Sequence, residues 1–179
     1  MATEIDYTGI TCIPPKDTAL RYVLKKAGKN PLFVIGLNTS TADENEPDPT
    51  IRNAMKIAAS NGYDGFVMFN LYPLRATEPK DLPMTDEQGL VEKNVAAIQQ
   101  ELGGVAKPVI LAAWGTLIEK REYLCECLRK IVRLPAAREA VWKHVGELTK
   151  DGHSRHPLYV KSDSELSNFD MEKYIETLK

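Results

Sequence analysis

The feature that most constrains this chain is a recurring order of short unbroken apolar run, tight turn and helix. Leu32, Phe33, Val34 and Ile35 form the first run, residues 65–70 (GFVMFN) the second and residues 108–113 (PVILAA) the third. A strand that is apolar throughout is covered on both faces, as in a parallel sheet with helices on each side. Gly36 allows a turn after the first run, and Trp114-Gly115 closes the third. Residues 49–61 predict a helix with Ile51, Met55 and Ala58 inward, Asp48 as N-cap, Pro49 in the first turn and Gly62 as the stop. A second helix is predicted over 86–102, and Thr116 is placed to cap a third running to about Val132. The expected fold class is α/β, a three-layer α/β/α arrangement around a central, mainly parallel sheet with right-handed crossovers.

Weaker signals fill the remainder. Residues 19–26 (ALRYVLKK) alternate loosely before Gly28-Lys29-Asn30, which predicts a strand hairpinned onto the first apolar run; a short helix is the competing reading. His144 to Thr149 is a candidate fourth strand, and Asp170 to Leu178 a closing helix. One α/β domain is expected over 1–179, with its core at 18–160 and a C-terminal helical extension at 161–179. Asn94 interrupts the apolar stripe of the 86–102 helix, and a buried amide there needs a partner, either a loop backbone or, on a sharper reading, a site residue that it orients.

Composition narrows the class. With 179 residues, 43% hydrophobic and 27% charged, the chain can bury a proper core. No apolar run approaches the roughly 20 residues that span a bilayer, and the first residues lack the pattern of a leader, so no membrane partner and a cytoplasmic location are expected. Cys12, Cys125 and Cys127 are odd in number and read as reduced thiols. The net charge of −2 argues against a strong nucleic-acid binder, although residues 116–161 carry ten basic against six acidic side chains. Solvated helix faces account for that excess.

Polar residues at the carboxyl ends of the strands give a candidate site. Asn38 and Ser40 follow the first strand, Asn70 ends the second, Trp114 follows the third, and His156 lies beyond the fourth, with Arg75 and Arg155 nearby for anionic groups. In a parallel sheet these stretches share one rim, where such sheets bind ligands. Amides read donor and acceptor edges while aromatic rings stack on faces, so the set suits a nucleobase. No phosphate-binding loop, dinucleotide fingerprint or nucleophile elbow occurs. Asp43, Glu44, Glu46 and Asp48 precede a helix N-terminus, where acidic residues are stabilised without any metal, and His153 and His156 lack further ligands at zinc spacing. Neither metal nor cofactor is expected.

The combination of GLNTSTAD, DPTIRNA, FNLYPLRATEP, AAWG and GHSRHPLY resembles a bacterial family of unknown function, domain of unknown function family 1643, over about Arg21 to Val160. That family is similar in turn, more weakly, to the uracil-DNA glycosylase superfamily, and the resemblance implies its fold. Gly36-Leu37-Asn38 is similar to the superfamily's first motif, which implies that Asn38 positions an attacking water. Asn70 in FNLYP matches the base-reading strand end, and His156-Pro157 the later motif, which implies that His156 stabilises the departing base. Tyr72 would stack on that base. Thr39 and Leu158 depart from residues common in these motifs, and the cysteines lack the arrangement of the iron–sulfur members. The expectation is a glycosylase-like domain that binds a nucleobase, nucleoside or nucleic acid and hydrolyses an N-glycosidic bond. The alternative is a non-catalytic nucleotide-sensing or protein-interaction module on the same fold.

Overall fold

The computed structural model of the chain describes residues 4–15 and 19–179, so the expected core boundary at residue 18 lies outside the described residues. Among the described residues seven strands form one sheet: β1 (Ile10–Ile13), β2 (Val23–Lys26), β3 (Pro31–Thr39), β4 (Gly65–Arg75), β5 (Val109–Ala112), β6 (Val141–Val145) and β7 (Leu166–Asn168). The helices that accompany them are α1 (Pro49–Ser60), α2 (Leu90–Leu102), α3 (Glu122–Arg133), α4 (Pro135–Arg138) and α5 (Met171–Thr177). The strand order is β1-β2-β4-β3-β5-β6-β7.

The three apolar runs are β4, β3 and β5, adjacent and parallel at the centre, with β6 parallel beside β5. The outer pairings β1–β2, β2–β4 and β6–β7 are antiparallel, so the sheet is partly parallel rather than mainly so. Strand alternation sorts the core between two faces. Leu32 and Val34 of β3 pack with Ile51, Ala54, Ile57 and Ala58 of α1, whereas Phe33 and Ile35 join Ile98, Leu124 and Leu128 of α2 and α3. Helices therefore cover both faces, which is why these strands need no polar side.

Several expected boundaries move for local reasons. Strand β2 pairs with β4, not with β3 as the hairpin reading held. Asp64, just ahead of β4, accepts from Lys29 N at 3.1 Å and Asn30 N at 2.6 Å, which fastens the β2–β3 turn to the start of β4. The second helix begins at Leu90 instead of Asp86, because Gln88 and Gly89 both take left-handed φ values, of 53° and 68°. The third is split: a 3₁₀ turn at Thr116–Lys120, extended backbone at Arg121, then α3. Arg121 spends its guanidinium on the carbonyls of Leu82 and Pro83 at 3.1 and 3.0 Å. The fourth strand starts at Val141, where its N–H meets Pro108 O at 2.9 Å.

The C-terminal segment carries more than a closing helix. Strand β7 extends the sheet, and Met171, Tyr174 and Leu178 are buried in the α2/α3-side core. Trp114 Nε1–H donates to Tyr174 Oη at 2.8 Å, and that hydroxyl lies 2.8 Å from His153 Nδ1. No helix among the described residues is long and apolar enough to cross a membrane.

Candidate ligand site at the carboxyl edge of the sheet

A cavity of about 440 Å³ opens where the central strands end, and its wall includes Asn38, Ser40, Asp48, Asn70, Trp114, Arg155 and His156. Strand β3 supplies Gly36 to Asn38 and β4 supplies Met68 and Asn70, while the α1 N-terminus and residues 155–159 close the remaining sides. The volume lies within the range that encloses a small organic ligand.

The amides are held by one end and open at the other. Asn38 Nδ2 donates to Ala76 O at 2.6 Å, and Oδ1 has no partner among the described residues. Asn70 is 2% exposed; its Nδ2 donates to Thr39 Oγ1 at 3.2 Å, and Thr39 Oγ1 donates to Arg21 O at 3.1 Å. Its own carbonyl accepts from Asn94 Nδ2 at 2.6 Å. The polar break in the α2 stripe thus fixes the backbone of a cavity residue. Gly36 leaves room for this arrangement, because a Cβ there would stand 2.7 Å from Asn70 Oδ1 and 2.7 Å from Met68 Cε.

His156 caps the 3₁₀ turn Pro157–Tyr159: its Nδ1 accepts from Leu158 N at 3.3 Å. An accepting Nδ1 assigns the proton of the neutral ring to Nε2. Burial pulls its pKa below the ordinary value, opposed by the nearby Asp48 carboxylate. The ring reaches the rim because Gly115, at φ 77°, takes a turn that a side chain disfavours, with His156 Cβ 3.6 Å from where its Cβ would stand.

Asp48 is the acidic side chain on this wall among the described residues. It caps α1 as expected, with Oδ1 accepting from Ile51 N at 2.8 Å, while Oδ2 accepts a short hydrogen bond from Ser40 Oγ. The cap signal was legible in the sequence, but its return to Ser40 depends on the fold of the 41–47 loop. Arg21 was also missed. It is 2% exposed, lines the cavity and gives Nη1 to Ala42 O at 2.7 Å. A lone cation inside ALRYVL was the available signal, masked by reading the segment as a half-exposed strand.

Two expected site residues lie elsewhere. Tyr72 does not line the cavity: it is fully buried, packs against Tyr123 with ring centroids 4.5 Å apart, and accepts from Glu87 N at 2.9 Å. Burial pushes its phenol up to about 12. Met68 lies on the α1 side and Phe69 and Leu71 on the other, but Tyr72 joins Leu71, so the alternation slips immediately after Leu71. Arg75 stands behind the wall, where Nη1 donates to Ser40 O at 2.7 Å and Ala42 O at 3.0 Å and so shapes the loop carrying Ser40. Trp114 reaches the cavity with little area, being 1% exposed. No group of three potential metal ligands occurs among the described residues, and the three cysteines are buried and unpaired.

The family described as protein of unknown function (DUF1643) has a model that matches residues 21–158, a span holding the cavity wall except Tyr159. The chain belongs to this family. No curated protein and no solved structure matches it. The DUF1643 region ends short of Tyr174, whose hydroxyl supports Trp114 on the cavity wall.

Proposed function

We propose that this domain binds a nucleobase or nucleoside in the cavity and hydrolyses its N-glycosidic bond, as the remote resemblance to uracil-DNA glycosylases implies. The observation that carries the reading is the convergence of open hydrogen-bonding groups on one cavity: Asn38 Oδ1, Asn70 Oδ1 and His156 Nε2–H. Asn70 would read the base edge. Asn38 Oδ1 would accept from a water and aim its oxygen at the sugar carbon. As the new C–O bond forms and the C–N bond breaks, the water's proton passes to the Asp48 carboxylate and the base departs with the bonding electrons, steadied by the His156 Nε2–H. A carboxylate accepts up to about four hydrogen bonds, so the two Asp48 already takes leave capacity for the water.

A non-catalytic binding module is the second reading. Both Asp48 oxygens are already engaged in capping α1 and holding Ser40, as a purely structural carboxylate would be. Free-base release from nucleosides and from single- and double-stranded DNA separates the two. Wild type should release a base, and Asn38→Ala should slow release by roughly 10²-fold or more while leaving affinity nearly intact. Binding without release would replace the enzyme with the module, and absence of binding would end both readings.

A further inference from the structure

The cavity wall carries more positive charge than its own groups neutralise. Arg21 is buried, its Nε–H has no partner among the described residues, and its Nη1 shares the Ala42 carbonyl with Arg75. Arg155 gives its Nε–H to Glu147 O at 2.7 Å, and its two terminal nitrogens have no partner among the described residues. Neither Arg21 nor Arg155 forms an ion pair with a described carboxylate. Asp48 is the acid on the wall, and its oxygens serve Ile51 N and Ser40 Oγ. Burial pulls the Arg21 pKa down and the neighbouring Arg75 pulls it further, yet a guanidinium stays protonated, so the positive charge remains. A buried cation is costly unless an opposite charge arrives, and a ligand can bring one.

We propose that the ligand is a phosphorylated nucleoside, its phosphate gripped by the terminal nitrogens of Arg155, with the buried charge of Arg21 on the same wall. The inference rests on the nucleobase reading and names the substrate class within it. A guanidinium with both terminal nitrogens open presents the planar fork that matches two phosphate oxygens. The phosphate belongs either to a free mononucleotide or to a nucleic-acid strand, and the two sources share this chemistry.

Calorimetric titration tests the proposal with the common nucleosides, their 5′-monophosphates, ribose 5-phosphate, inorganic phosphate and a single-stranded trinucleotide. At least one monophosphate should bind roughly 10- to 100-fold tighter than its own nucleoside, with the gap narrowing as salt is raised. Arg155→Ala should close that gap, while Arg155→Lys should restore part of it. Equal affinity for nucleoside and monophosphate overturns the anion site and spares the base reading. Ribose 5-phosphate or inorganic phosphate binding as tightly as the nucleotide supports the anion site and sinks the base reading. A trinucleotide that outcompetes the mononucleotide keeps the site and assigns the phosphate to a strand, whereas binding of none of these overturns both.

Discussion

Replacing Tyr174 with Phe removes one oxygen from the junction between the C-terminal helix and the cavity wall. The ring of Tyr174 packs 5.7 Å from that of Trp114 and 5.1 Å from that of Phe169, and a phenyl group keeps both contacts. What disappears is the acceptor for Trp114 Nε1–H and the partner of His153 Nδ1, each at 2.8 Å, on side chains 1% and 6% exposed. A buried polar group left without a partner costs about 1–3 kcal/mol. Two such groups, with some relief from the more apolar ring, give an expected loss of about 2–4 kcal/mol. For a domain of this size that corresponds to a fall in Tm of roughly 4–16 °C. Urea unfolding followed by circular dichroism and by tryptophan fluorescence measures it, with an unchanged m value showing that the native packing survives. A loss below about 0.5 kcal/mol would refute the reasoning, because it would mean that both groups find other partners.

Two further perturbations probe the site itself. Gly36→Ala should push Asn70 off Thr39 Oγ1, because the added methyl would stand 2.7 Å from Asn70 Oδ1; about 1–3 kcal/mol of stability and roughly tenfold or more in ligand affinity should go with it, and calorimetry showing wild-type affinity would count against Asn70 as a base reader. Burial holds the pKa values of both His144 and His156 below the ordinary value. The unfolded chain therefore binds more protons at mildly acidic pH, so their contribution is complete above about pH 6.5 and is lost as pH falls through the folded values. Urea midpoints between pH 5 and 7 should show this, with a shallower slope in His156→Gln, and an identical slope in that variant would contradict the assignment.

The central strands were legible because each of their sequences is apolar without alternation, and only burial on both faces tolerates that. The α1 start was legible because Asp48-Pro49 is a local signal satisfied by local bonds. The edges were not. Strand β1 has four residues and β7 has three, too short for a period to register, and the partner of β2 is chosen by Asp64, far away in sequence. The same limit governs the site. Asn38, Asn70 and His156 follow strand ends that topology brings together, so counting strands was enough to gather them. Tyr72 was misjudged because its face depends on the irregularity that shifts β4 against β3 near Asn38 and Thr39. Arg21 and Asp48 join the wall through the Ala42 carbonyl and the Ser40 hydroxyl, contacts that no spacing rule encodes.

The cavity wall draws on residues from Arg21 to Tyr159, taken from β3, β4, the start of α1 and five separate connecting segments. No fragment of the chain holds it, so it exists only while the whole domain is folded. Occupancy and folding are then one linked equilibrium: a ligand present at 100 times its dissociation constant stabilises the native state by about 2.7 kcal/mol, however small the patch it touches. That raises the melting temperature by roughly 5–11 °C, well within the reach of a dye-based melt. The domain is therefore its own detector. A chemically diverse panel of bases, nucleosides and nucleotides can be ranked by melting temperature alone, before any reaction is assumed and without a label on either partner.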